Sequence, residues 1–201
     1  MIRSVSIIKI WSILVFCLSV SCNSKIDNKQ SKHRVNILNR EMNFPAQFVK
    51  TNAEEILERL NDTLNSDDFT ESELIKMRNF KRMGRNAEFF VDSTNTNSYI
   101  TFHRANYLKM SKEALDVYLD LIENNILYNY ETAGINTQRI EGKFLDYGLA
   151  EIVKVKYLQT YEESKRYMTH YLVSHNLKSF GIIVISTNED DFEYILDTFK
   201  L

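Results

Sequence analysis

Hydrophobic and polar positions along the chain fall into three regimes. Ile10 to Leu18 is an apolar run interrupted only by Ser12. Asn23 to about Arg34 is polar and charged, with almost no apolar anchor to offset the entropy of ordering it, so it predicts a flexible tether. From Val35 onward, apolar residues recur at periods that separate helices from strands. Scattered apolar residues from Val35 to Phe48 predict a short first strand ahead of a turn at Pro45. Thr51-Asn52-Ala53-Glu54 has the form of a capping box, with Thr51 as N-cap. Ala53, Ile56, Leu57, Leu60 and Leu64 follow at helical spacing. Asn65 to Asp68 breaks that helix. Thr70-Glu71-Ser72-Glu73 opens another, with Leu74, Ile75, Met77 and Met83 to bury and Gly84 as its stop.

Glu88 to Asp92 and Ser98 to Arg104 are rich in strand formers and flank the polar Ser93 to Asn97, which predicts a β-hairpin. Ser111 caps a helix running to about Asn125, with Ala114, Leu115, Tyr118, Leu121 and Ile122 on one face. The last third is strand-rich. Gln138 to Leu145 reaches a turn at Asp146-Tyr147-Gly148, and Leu149 to Gln159 follows. Arg166 to Ser174 alternates cleanly and leads through His175-Asn176-Leu177-Lys178 into Phe180 to Ser186. That last run is apolar on both faces, as in a central strand covered by helices. Ser186-Thr187-Asn188-Glu189 reads as a third capping box. Phe192, Ile195, Leu196 and Phe199 give a closing helix its stripe.

Short connections fit antiparallel neighbours, because a parallel crossover needs about a dozen residues or more. The expected class is therefore α+β: a single antiparallel β-sheet packed with helices. Ala150 to Val155, Tyr167 to Val173, Phe180 to Ser186 and the helix from Asp191 to Phe199 are similar in order and pattern to PsbP-like domains. That resemblance implies an α/β/α sandwich. It carries over no catalytic residue, and it implies an accessory or assembly role.

Met1 to Lys9 is short and basic, and the apolar run behind it is too short to span about 30 Å of hydrocarbon comfortably. Ser19-Val20-Ser21-Cys22 then resembles the lipobox of bacterial lipoproteins, with Leu18 one place further upstream than the commonest pattern. The resemblance implies acylation of Cys22, cleavage before it and lasting attachment to a membrane. Two or three chains are enough, each buried methylene contributing about 0.8 kcal/mol. The alternative is an ordinary secretory signal cleaved near Ser21. Asn23, in place of Asp, favours the outer membrane and leaves the leaflet open. The domain organisation is a signal peptide at 1–21, a tether at 22–34 and a globular domain at 35–201.

Arg3 and Lys9 leave with the signal peptide, so 23 basic residues face 27 acidic ones. That balance is no footprint for nucleic acid. Cys17 is lost and Cys22 acylated, so the mature domain has no thiol for catalysis, for a disulfide or for a cysteine-ligated metal site. His33 falls in the tether, and His103, His170 and His175 show no ligand spacing. No metal or other cofactor is expected. Glu189-Asp190-Asp191 sits where a helix macrodipole favours acid, and Glu162-Glu163 reads as a solvated turn. Tyr157, Tyr161, Tyr167 and Tyr171 could form cross-strand pairs. If helices cover only one face, the other face would present Tyr, His and Met to a partner.

The expected function is non-enzymatic: a lipid-anchored envelope protein that binds another protein as an accessory or assembly factor. Two alternatives stand beside it. One is an immunity protein against an envelope-acting toxin. The other is a small-ligand carrier or enzyme with a pocket between sheet and helices.

Overall fold

Alternation along the chain builds two hydrophobic layers on a single sheet. The computed structural model describes residues 30–62, 74, 76–78, 81–82, 86–131 and 134–200. The segment expected to be a signal peptide, Cys22, the expected tether up to residue 29, the expected Asn65–Asp68 break, the Thr70–Glu73 box and Gly84 lie outside the described residues.

The elements run β1 (Gln30–Val35), β2 (Arg40–Pro45), β3 (Phe48–Thr51), α1 (Ala53–Asp62), β4 (Ala87–Asp92), β5 (Tyr99–Ala105), α2 (Leu115–Glu131), β6 (Asn136–Asp146), β7 (Ala150–Tyr161), β8 (Ser164–His175) and β9 (Lys178–Ser186). A 3-10 segment, Glu193–Phe199, closes the chain. The main sheet has seven strands in the order β3-β4-β5-β9-β8-β7-β6, every pair antiparallel. The hairpin β1–β2 forms a second, two-stranded sheet. The α+β class with a single large antiparallel sheet holds.

β9 lies at the centre of the sheet and explains its own composition. Ile183 and Ile185 enter one core, together with Phe89, Val91, Tyr99, Tyr118, Leu119, Val153, Val155 and Tyr157. Phe180, Ile182 and Val184 enter the other, with Phe44, Phe48, Phe90, Phe102, Tyr171 and Phe199. Each such side chain contributes about 1.5–3 kcal/mol of burial before entropy is subtracted. Helix α2 covers the first face and rests on β6 at Gly142, where a Cβ would stand 2.8 Å from Leu119 Cδ1. The second face is covered by the β1–β2 hairpin and the 3-10 segment, where the sandwich reading placed a helical layer.

Several boundaries differ from expectation for identifiable reasons. β1 begins at Gln30, inside the segment read as tether. His33 stacks on Phe44 with ring centroids 3.9 Å apart, and every residue from Gln30 to Val35 has a partner in β2. Pairing across the hairpin orders a stretch that its own composition could not. Asn52, one residue after the expected N-cap, caps α1: its Oδ1 accepts the Glu55 N–H at 2.9 Å, while Thr51 ends β3. Ser111 precedes a 3-10 turn, Lys112–Ala114, without a side-chain cap bond, and α2 runs past Asn125 to Glu131. Ser186 ends β9. Beyond it, Asn188, Asp190 and Asp191 each accept a backbone N–H two residues on, which makes successive Asx turns and delays any helix until Glu193.

Candidate functional site

The tip of the β1–β2 hairpin, the end of β5, the β8–β9 turn and the 3-10 segment meet around an open cleft of about 460 Å³. Its floor is apolar. Phe180 and Phe199 pack with centroids 5.5 Å apart, and Leu38 lies beside them. Its wall carries Arg40, Arg104, Lys178 and His175, and no lining residue is a carboxylate.

Each element places its residue for a local reason. Arg40 opens β2 directly after the Asn36–Asn39 turn. That turn is pinned to β4 by Glu88, whose carboxylate accepts the N–H groups of Asn36 (3.2 Å) and Ile37 (2.6 Å) and the Lys50 ammonium (2.5 Å). The Arg40 guanidinium donates to the Thr198 carbonyl at 2.9 Å, lies 3.1 Å from His175 Nε2 and sits 5.0 Å above the Phe199 ring. A carbonyl, an imidazole and an aromatic face fix it in place, with no counter-carboxylate among the described residues. Burial, and then the Arg40 charge, hold His175 below its ordinary pKa. Its ring is therefore neutral at pH 7, with Nε2 accepting from Arg40. Arg104 and Lys178 are exposed and make no ion pair among the described residues.

The rim has a second unusual feature. Asn176 and Leu177 form a two-residue turn in which both take positive φ, 50° and 57°. Such turns favour Asn-Gly. Leu at the second position costs about 1–2 kcal/mol of backbone strain, and yet the Leu177 side chain is 78% exposed. An apolar side chain is thus held in solvent, at an energetic cost, at the mouth of a cationic cleft.

The remaining candidates divide between the two faces. Lys154 is 2% exposed, and its Nζ meets Asp191 (2.5 Å), Glu193 (2.7 Å) and Glu141 (2.9 Å). Lys143 bonds the same Glu141 and Glu193 at 2.9 Å. This network latches the 3-10 segment to β6 and β7. Burial alone would raise the Asp191 carboxyl, but the bond and charge of Lys154 outweigh it and hold the group below the usual range. Of the acidic run expected at a helix N-terminus, Asp191 serves here as counter-charge, while Asp190 accepts the Phe192 N–H and Glu189 the Tyr167 hydroxyl.

His103 and His170 lie on the α2-covered face. Burial drives the pKa of both down, His103 to about 4, with the Lys76 charge adding to the effect. The His103 ring fills the space above Gly181. His170 and His175 point to opposite faces of β8, as strand parity requires. Among the described residues no group of three or more His, Cys, Asp or Glu is placed to hold a metal. Likewise, no described helix is long and apolar enough to cross a membrane. The tyrosines do not pair with one another. Tyr157 and Tyr171 are buried on opposite faces, opposite Met168 and Lys154 in neighbouring strands, while Tyr167 faces Leu158 and Tyr161 faces Ser164. Among the described residues the hairpin and the 3-10 segment cover the face opposite α2, so it is not an open aromatic face.

No protein-family model matches the chain, and no curated protein matches it. Among solved structures, cyanobacterial PsbP (CyanoP) from Synechocystis sp. PCC 6803 aligns with a TM-score of 0.50 over 89% of this chain and 92% of that one, at 11% identity. The fold is PsbP-like. At that identity the likeness is one of fold alone, and it matches the architecture expected from the strand pattern of the last third of the sequence.

Proposed function

We propose that this chain is a lipid-anchored envelope protein of the accessory or assembly type, and that its PsbP-like domain binds another protein at the cleft between the hairpin tip and the β8–β9 turn. The cleft carries the proposal. It joins an apolar floor to unneutralised cations and an exposed Leu177, the combination of a dry anchor and a polar rim by which proteins recognise one another.

Anchoring rests on the lipobox-like Ser19 to Cys22, with the outer membrane as the favoured location. Cys22 stands eight Cα steps before Gln30, so the leash reaches at most roughly 28 Å. The domain would therefore work close to the bilayer. The test is purification of the full-length protein from detergent-solubilised envelopes, with the mass of its mature N-terminus measured in the same sample. The expected result is acyl chains on Cys22 and a single stoichiometric partner. An unmodified N-terminus near Ser21 would refute the anchor, and repeated recovery of the protein alone would refute the partner.

A further inference from the structure

We infer that the cleft recognises an acidic segment of the partner, in which carboxylates engage Arg40, Arg104 and Lys178 and an apolar side chain packs against Leu177 and Phe180. The inference rests on the partner-binding role proposed above and gives that partner its chemistry.

Three observations carry it. First, charge complementarity has one sign. Arg40, Arg104 and Lys178 line the cleft with no carboxylate among the lining residues, although the chain as a whole is acidic. The carboxylate behind the hairpin turn, Glu88, is already committed to Lys50 and two backbone N–H groups. Second, Arg40 is preorganised. The Thr198 carbonyl and His175 occupy only part of its five-donor fork, and its Cζ sits 5.0 Å from the Phe199 ring centroid. A guanidinium held this way keeps donors for a carboxylate, which it can engage with little further ordering. Third, Leu177 and Phe180 add apolar surface beside the cations, which suits a peptide better than a bare ion.

The same chemistry could in principle meet an anionic lipid headgroup, but the position of the cleft argues for a protein. The leash joins β1 at Gln30, whereas the cleft opens at the Val35–Arg40 end of the hairpin. These ends lie a strand length apart, about 17 Å, so the cleft opens at the end of the hairpin remote from the leash.

The experiment measures fluorescence anisotropy with the full-length protein held in phosphatidylcholine nanodiscs, free of detergent. The probes are a labelled Glu-Glu-Leu-Glu-Glu peptide, its Lys-Lys-Leu-Lys-Lys counterpart, and vesicles of phosphatidylglycerol in phosphatidylcholine. The glutamate peptide should bind, should weaken as salt rises, and should lose about tenfold in affinity with the Arg104→Glu/Lys178→Glu pair. Both positions are exposed, and an unchanged melting temperature checks that the pair still folds. Leu177→Gly should weaken the same peptide severalfold. Absence of glutamate-peptide binding, equal binding of the lysine peptide, or equal binding by the charge-reversed pair overturns the inference. Vesicle binding that the charge-reversed pair abolishes, without peptide binding, assigns the cleft to lipid and also overturns it. A stoichiometric partner that still co-purifies with the charge-reversed pair leaves the partner-binding role standing and removes only the acidic chemistry.

Discussion

Replacing Leu177 by Gly should make this protein more stable and less able to bind. Leu177 occupies the left-handed region at φ 57°, in a turn closed by the His175–Lys178 pair. There an L side chain costs about 1–2 kcal/mol that glycine does not incur. Glycine in turn gives up about 0.5–1 kcal/mol of backbone entropy on folding. The side chain is 78% exposed, so little burial is lost. The net is a gain of roughly 0.5–1 kcal/mol, a rise of about 1–4 °C in Tm for a domain of this size. Urea unfolding measures it as a higher midpoint at unchanged slope. Leu177→Ala keeps the Cβ and should stay within about 0.5 kcal/mol of the parent. If Leu177→Gly instead lost 1 kcal/mol or more, the leucine would be packed rather than presented, and the strain would have no functional meaning.

Other perturbations probe the rest of the structure. Lys154→Met leaves Asp191 without its close cation and Glu193 and Glu141 with Lys143 alone, and should cost about 3 kcal/mol, the low end for a buried pair because those carboxylates are partly solvated. Held below their ordinary pKa, these carboxyls contribute stability above the usual carboxylate range and lose it as pH falls through their depressed values; the variant should flatten that acid limb in urea titrations. His103, held at about 4 by burial and the Lys76 charge, binds its proton more readily in the unfolded chain. Stability should therefore fall as pH drops below 6.5, by about 2 kcal/mol at pH 5 from this residue alone, and a flat profile from pH 7 to 5 would contradict the burial. Gly181→Ala would put a Cβ 2.2 Å from His103 Cε1 and should cost about 1–3 kcal/mol by denaturation.

The sheet was legible because its residues carry their own signal. The alternation of β8, the two-sided apolar run of β9 and the polar loop between β4 and β5 each state the pairing locally. β1 was hidden because Gln30, Ser31, Lys32, His33 and Arg34 are polar; Phe44, across the hairpin, and Phe90 in β4 turn His33 into a packing residue. The 3-10 segment was misjudged because Asn188, Asp190 and Asp191 favour both helix caps and Asx turns, and the contacts of Lys154 with Asp191 and Glu193 help decide between them. The cleft was out of reach. Arg40, Arg104, His175 and Phe199 come from four separate elements, and no single stretch of sequence announces that they meet. One trace of it was nevertheless local: Asn176-Leu177 stands where a tight turn would ordinarily have Asn-Gly.

The most direct test places a photo-crosslinking residue at Tyr107, on the cleft wall, and a control at Val117, exposed on α2, each in the full-length protein in its own cells. One discrete adduct is expected from position 107, lost with the Arg104→Glu/Lys178→Glu pair, and none from position 117. Equal labelling from both positions, or none from 107 in anchored protein, would contradict partner binding at the cleft.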